Sequence, residues 1–155
     1  LNSDPSAYNS IHLKGGGWLQ FNGAKINPYL NNDFSLQLWI SGDTDQSSNS
    51  KTLLSILDDS DNQVIFGLFR NTTVDNGIDV YFYGDRIKTI TSDDIDWTKT
   101  IFNLLTITSE EEIDSENNLI KIFINDTQVF SNQDSDSQVD INLQLGDNNL
   151  IIGGK

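Results

Sequence analysis

Three carboxylates alternate along a short polar segment, at Glu112, Asp114 and Glu116. On a β-strand all three would point to one side, because side chains alternate between the two faces. Two carboxylates held in this way can act as nucleophile and acid/base in glycoside hydrolysis. The segment has Ser115 where an apolar residue would anchor a core strand, and the two asparagines that follow Glu116 are typical of a turn. We therefore predict a turn here and a protein that is not an enzyme.

Aspartates spaced one residue apart in polar loops indicate a second chemistry, cation binding. Alternating carboxylates in a loop can converge on Ca²⁺, which takes about six to eight oxygen ligands. No complete EF-hand loop is present, because the Gly and the closing Glu of that motif are missing, and solvated turns are the alternative interpretation. The candidate calcium ligands are Asp43, Asp45, Asp58, Asp59, Asp61, Asp134 and Asp136, with Ser47 and Asp140 continuing two of the runs.

Four aromatic side chains lie opposite the aliphatic side of the strands predicted below: Trp39, Tyr81, Tyr83 and Phe123. An aromatic ring offers a large apolar face that can stack on the apolar face of a sugar ring. The four residues are therefore candidates for an aromatic platform that binds a glycan. The alternative is that they pack under a covering loop or a further strand, since aromatic residues are often buried.

The chain has a single histidine, His12, and no cysteine. A catalytic triad needs a serine nucleophile beside its histidine, and no serine nucleophile motif surrounds His12. Zinc sites are built from several His or Cys ligands. Triad catalysis and a zinc site built on several histidines are both disfavoured.

The chain has 155 residues and a formal net charge of −14. Such an excess of negative charge repels phosphate backbones and anionic lipid headgroups. No apolar run approaches the ~20 residues that are needed to span a bilayer. We expect one domain over residues 1–155, with no nucleic-acid partner and no membrane insertion.

Short apolar runs alternate with clusters of Asn, Asp, Ser and Gly along the chain. This pattern predicts short strands joined by turns, and these strands would position the side chains discussed above. FSLQLWI and IKIFIN alternate with period two, and VIFGLF and IDVYFY are separated by a turn-rich connector that predicts a hairpin. IFNLLTIT is apolar on both faces, which predicts the centre of a sheet. The pattern predicts an all-β, two-sheet antiparallel jelly-roll sandwich. Its predicted core contains Phe34, Leu36, Leu38, Ile120, Ile122 and Ile124.

The order of these segments resembles the laminin G-like pattern. FSLQLWI, TLLSILDDSDN, NLLTITS and IKIFIND are similar to successive strands and turns of that family, and WLQFNG and LIIGG look like its first strand and a late one. The resemblance covers almost the whole chain and implies a concanavalin A-like jelly roll. Asp126 stands where the family's hairpin usually has Gly, which Asp tolerates because it can adopt a left-handed turn.

The sandwich framework and acidic loops, without a convincing catalytic strand, favour a binding or adhesion module that recognises a glycan or another surface protein, with calcium held by the acidic loops. We expect this module to be extracellular or at the cell surface. A structural module of a larger surface protein or virus particle is the alternative, and a β-sandwich glycoside hydrolase is a third. The family continues past its LIIGG-like strand into a closing strand, whereas this sequence ends at Lys155. We expect a segment of the parent polypeptide or a partner to complete the sheet by strand addition.

Overall fold

The computed structural model describes residues 18–25, 33–41, 51–58, 63–71, 73–74, 76–91, 93–97, 101–111, 117–134, 138–143 and 145–153. These residues form ten strands and, among them, no helix has the length and apolarity needed to cross a membrane. The strands are β1 (Trp18–Phe21), β2 (Phe34–Ile40), β3 (Lys51–Leu57), β4 (Val64–Asn71), β5 (Gly77–Phe82), β6 (Asp85–Thr91), β7 (Asn103–Glu111), β8 (Asn118–Ile124), β9 (Thr127–Ser131) and β10 (Leu150–Gly153).

The strands form two sheets, and every pair of neighbours is antiparallel. The larger sheet has six strands in the order β1-β10-β3-β4-β5-β6, and the smaller has four in the order β2-β7-β8-β9. The predicted all-β, two-sheet antiparallel fold, consistent with a jelly-roll sandwich, is confirmed. The hairpin predicted from VIFGLF and IDVYFY is the β4–β5 pair, and IFNLLTIT contributes β7, which lies between β2 and β8.

Apolar side chains from both sheets form one core. The predicted core residues of β8, Ile120, Ile122 and Ile124, are buried. Those of β2, Phe34, Leu36 and Leu38, pack against the core and are only half-buried. The difference arises because β8 has a neighbour on each side, whereas β2 pairs with β7 alone in the described part of the chain.

The β8–β9 hairpin turns at Asn125 and Asp126, both of which have positive φ, at 48° and 68°. Two positive φ values in succession are the signature of the tight hairpin turn that matches the twist of the strands. Asp126 therefore adopts the left-handed conformation expected at the hairpin position where the laminin G-like pattern usually has Gly. Asn125 also donates from Nδ2 to the main-chain oxygen of Asp94 at 3.0 Å, which fixes the neighbouring loop.

The last described strand, β10, lies inside the larger sheet. Its residues pair with β1 on one side and with β3 on the other. A closing strand from elsewhere would therefore have to join a sheet at another strand, and its existence stays a prediction. The segment that contains Glu112, Asp114 and Glu116 lies outside the described residues.

Candidate functional site

A groove opens at one end of the sandwich, with a volume of about 670 Å³. Four parts of the chain line it: the two sides of the β3–β4 connection, the β5–β6 turn, and the stretch from 140 to 148. Ile65 is its buried apolar residue. We call this the end groove. Its polar lining consists of Asp58, Gln63, Tyr83, Asp140, Asn142 and Asn148.

Tyr83 occupies the first central position of the β5–β6 turn. Its φ is 48° and that of Gly84 is 86°, while Phe82 pairs with Asp85 across the turn. This turn type favours Asn or Asp followed by Gly. A left-handed conformation costs a residue with a Cβ about 1–2 kcal/mol. Placing a tyrosine here therefore needs compensating contacts.

Three hydrogen bonds hold Tyr83 in that conformation. Its main-chain N–H donates to the oxygen of Ile65 at 3.0 Å. Its carbonyl accepts from Nε2 of Gln63 at 2.7 Å, and its hydroxyl donates to the carbonyl of Asn142. The side chain remains 42% exposed. The ring is therefore fixed at both ends, at the edge of the end groove, and is still accessible.

Gly84 leaves room for the Gln63 side chain. A Cβ at position 84 would lie 2.7 Å from Nε2 of Gln63, closer than real Cβ contacts. The glycine thus has two roles, since it supplies a positive φ and admits the amide that holds Tyr83.

Asn118 and Asn132, both buried, fix the stretch that brings Asp140 and Asn142 into the groove. The N–H of Asn118 donates to the oxygen of Ile141 at 2.6 Å, and its Oδ1 accepts from the N–H of Leu143 at 2.8 Å. Asn132 donates from Nδ2 to the oxygen of Val139 at 3.0 Å, and its own oxygen accepts from the N–H of Val139 at 2.9 Å. These bonds attach an extended segment to β8 and to the residue that follows β9, without making it a strand of the sheet.

The side chains of that segment alternate as a strand would. Ile141 and Leu143 are buried in the core, whereas Asp140 is exposed and Asn142 half-buried on the groove side. The core packing of the apolar pair therefore determines where the polar pair points.

Of the candidate calcium ligands, Asp58 and Asp134 lie in the described part of the chain, and cation binding by them stays a prediction. Asp58 lies in the end groove together with Asp140. Asp134 lies elsewhere, in a turn where its Oδ2 accepts from the N–H of Ser131 at 3.1 Å. Within the described ranges, no three His, Cys, Asp or Glu side chains come together as a metal-binding group. The remaining candidates, Asp43, Asp45, Asp59, Asp61 and Asp136, lie outside those ranges.

The four aromatic candidates do not form one platform, because they lie in three places. Trp39 and Phe123 are on the outer face of the smaller sheet, where Trp39 is 65% exposed. Tyr81 is on the outer face of the larger sheet, with its ring edge-on to Phe69 at a centroid distance of 5.2 Å. Only Tyr83 contributes to the end groove. Period-two alternation indicates that a residue points away from the core, but it does not indicate which sheet carries it.

Asp79 is a buried carboxylate, 5% exposed, that no pattern in the sequence indicates. Both its oxygens accept from Nδ2 of Asn71 at 3.1 Å, Oδ1 accepts from the Thr89 hydroxyl at 2.5 Å, and Arg86 lies 3.7 Å from Oδ2. These partners are on β4 and β6, the two strands that flank β5 and its Asp79. The network therefore joins three strands on the face that also carries Tyr81.

No protein-family model matches this chain, and no curated protein matches its sequence. Among solved structures, it is similar to sheep galectin-11, which was determined in complex with glycerol. The two are 11% identical, with a TM-score of 0.45, and the match covers 79% of this chain and 90% of the galectin chain. The two-sheet sandwich assigned to this chain rests on its own strand pairing.

Proposed function

We propose that this protein is a non-enzymatic module that binds a carbohydrate in the end groove. The observation that carries the proposal is Tyr83, an accessible aromatic ring fixed in a turn position that normally favours Asn or Asp. Unfavourable backbone conformations persist where the surrounding structure enforces them, and they cluster at binding and catalytic sites. A turn without a binding role would be more stable with Asn-Gly.

The lining of the groove matches the two kinds of surface that a sugar offers. The ring of Tyr83 is suited to the apolar C–H face of a sugar. The carboxylates of Asp58 and Asp140 accept hydrogen bonds from hydroxyl groups, and charge-assisted bonds of this kind are stronger than neutral ones. Ligand sites generally combine apolar or aromatic walls with a few polar groups that set orientation.

The negative charge of the protein limits which glycans we expect it to bind. Two carboxylates from the described part of the chain line the groove, and the chain as a whole carries a formal charge of −14. An anionic ligand would be repelled both at long range and inside the groove. We propose a neutral glycan rather than a sulfated or otherwise acidic one.

Calcium and location are further parts of the proposal. Asp58 and Asp140 supply fewer oxygens than the roughly six to eight that Ca²⁺ requires, so the ion would also need main-chain, amide or glycan oxygens in the same groove. The setting we propose is extracellular or at the cell surface, with a glycan or a glycan-bearing surface protein as partner. The support for this part is the laminin G-like order of segments in the sequence.

The test begins with a glycan array, run with millimolar calcium and again with a chelator. The groove is then examined with Tyr83→Asn, which removes the ring but suits the left-handed turn better. This variant should keep or raise the melting temperature and weaken binding at least about tenfold, which corresponds to about 1.4 kcal/mol. The matched control is Trp39→Asn, which removes an exposed aromatic residue from the other sheet and should bind as the parent does.

Two outcomes would contradict the proposal. If the array shows no neutral glycan under either condition, carbohydrate binding is wrong. If a glycan binds and Trp39→Asn abolishes binding while Tyr83→Asn does not, the site is the outer face of the smaller sheet and not the end groove.

A further inference from the structure

β2 differs from the other strands at the sheet edges. It is seven residues long, contains no charged residue, Pro or Gly, and pairs with β7 in a continuous register. Edge strands usually carry a device that prevents pairing with another chain, such as a charge, a bulge or a short length. β2 has none of these among its described residues.

The other three edges each have such a device. β6 carries Asp85, Arg86 and Lys88, and its pairing with β5 contains a register shift. β9 has five residues and a register shift in its pairing with β8, and β1 has only four residues. The lack of protection at β2 is therefore a local property and not a general feature of this fold.

Among the described residues, none closes the core beside β2. The four inward side chains of β2, Phe34, Leu36, Leu38 and Ile40, are half-buried, whereas those of β8 are buried. Apolar surface that stays partly exposed along an edge strand can be covered by a strand added beside it.

The sequence of β2 is self-complementary about its central residue, Gln37. A two-fold axis through Gln37, perpendicular to the sheet, places Leu36 opposite Leu38 of a second copy and Phe34 opposite Ile40. On the outer face, the same axis places Gln37 opposite itself and Ser35 opposite Trp39. Each inward pair is apolar and each outward pair is uncharged, as an isologous contact between identical surfaces requires.

Charge permits a contact along this edge, because β2 itself contains no charged residue. Two copies that each carry a formal charge of −14 repel each other, so contact is least unfavourable where no carboxylate comes close. The acidic residue next to β2 is Asp33, whose Oδ1 already accepts from the N–H of Glu111 at 2.7 Å.

We propose that two copies of this chain associate by antiparallel pairing of β2 with β2, which joins the two smaller sheets into one continuous eight-stranded sheet. The contact is a single edge and buries little area, so the dimer is weak and depends on protein concentration. Charge screening by salt strengthens it, because the two copies repel each other.

Sedimentation equilibrium from micromolar to millimolar protein tests the proposal. The parent should shift from monomer to dimer over this range. Gln37→Glu and Gln37→Lys should each remain monomeric, because like charges directly opposite each other destabilise a cross-strand pair. Gln37 is exposed, so both variants should fold. The matched control is Gln128→Glu, an exposed glutamine on β9 at the opposite edge of the same sheet, which should associate as the parent does.

Mixing the two charged variants tests the register. An equimolar mixture of Gln37→Glu and Gln37→Lys should associate, because the axis then places a carboxylate opposite an ammonium group. A parent that stays monomeric at millimolar concentration would overturn the proposal. A dimer that persists in Gln37→Glu, or a mixture that stays monomeric, would also overturn it, since the contact would then lie elsewhere or in another register.

Discussion

Replacing Asn132 with Ala tests how the end groove is held together. The side chain is 3% exposed and makes three hydrogen bonds. Its Oδ1 accepts from the N–H of Ile120 at 2.8 Å, and its Nδ2 donates to the oxygens of Asn118 at 2.9 Å and Val139 at 3.0 Å. One amide therefore joins β8 to the segment that carries Asp140 and Asn142.

The magnitude follows from what the alanine would leave behind. The buried N–H of Ile120 loses the acceptor Oδ1, and a buried polar group left without a partner costs about 1–3 kcal/mol. Two carbonyls also lose a donor, although a carbonyl with a second partner loses less. We expect a fall in the free energy of unfolding of about 3 kcal/mol, which corresponds to a fall in Tm of roughly 6–12 °C at this chain length.

Urea denaturation followed by tryptophan fluorescence measures the change. Gln128→Ala, at an exposed position of the adjacent strand, should change stability by less than about 0.5 kcal/mol. Asn132→Asp should cost at least as much as Asn132→Ala, because a carboxylate keeps an acceptor but has no N–H for the two carbonyls. If Asn132→Ala costs less than about 1 kcal/mol, the amide does not tie the segment to β8 and our account of the groove is wrong.

Two further predictions concern packing and calcium. Gly67→Ala should lower the Tm by a few degrees in a thermal melt, because the new Cβ would lie 2.5 Å from Cε2 of Phe69 and 2.9 Å from Cγ1 of Val64. An unchanged Tm would show that the Phe69 ring can move aside at no cost in stability. Millimolar calcium should raise the Tm relative to a chelator, since a ligand that binds only the folded state stabilises it, and Asp58→Asn should reduce the shift. If the melting curves with calcium and with the chelator are identical, the aspartate-rich loops are solvated turns that do not bind calcium.

The strands that could be predicted best are those with one face packed on the core and the other face pointing away from it. The alternation in FSLQLWI predicts one strand, and β2 has the same bounds, Phe34–Ile40. The alternation in IKIFIN predicts three isoleucines on one side, and Ile120, Ile122 and Ile124 are all buried. Alternation is informative here because a register slip of one residue would move every apolar side chain into solvent.

The arrangement of strands into sheets is not determined by such patterns. The aromatic residues Trp39 and Tyr81 have the same phase in their own strands, yet they lie on different sheets. β1 and β10 pair with each other although almost the whole described chain separates them. Pairing of this kind depends on which edges remain available after the hairpins have formed, and no local pattern of residues records it.

Tyr83 shows why the site was the hardest part to predict. In the sequence it continues the alternation of IDVYFY, which predicts an outward strand residue like Tyr81. The signal that could have identified the turn is Gly84, which stands between that strand and the polar start of DRIKTIT. Even if the turn is recognised, the sequence does not predict the contact between Tyr83 and Asn142. That contact exists because Asn118 and Asn132, both far from Tyr83 in sequence, hold the segment of Asn142 in place. The groove therefore depends on buried side-chain amides that bond to main-chain atoms. Because every residue has the same main-chain atoms, the sequence does not show which residues these amides contact.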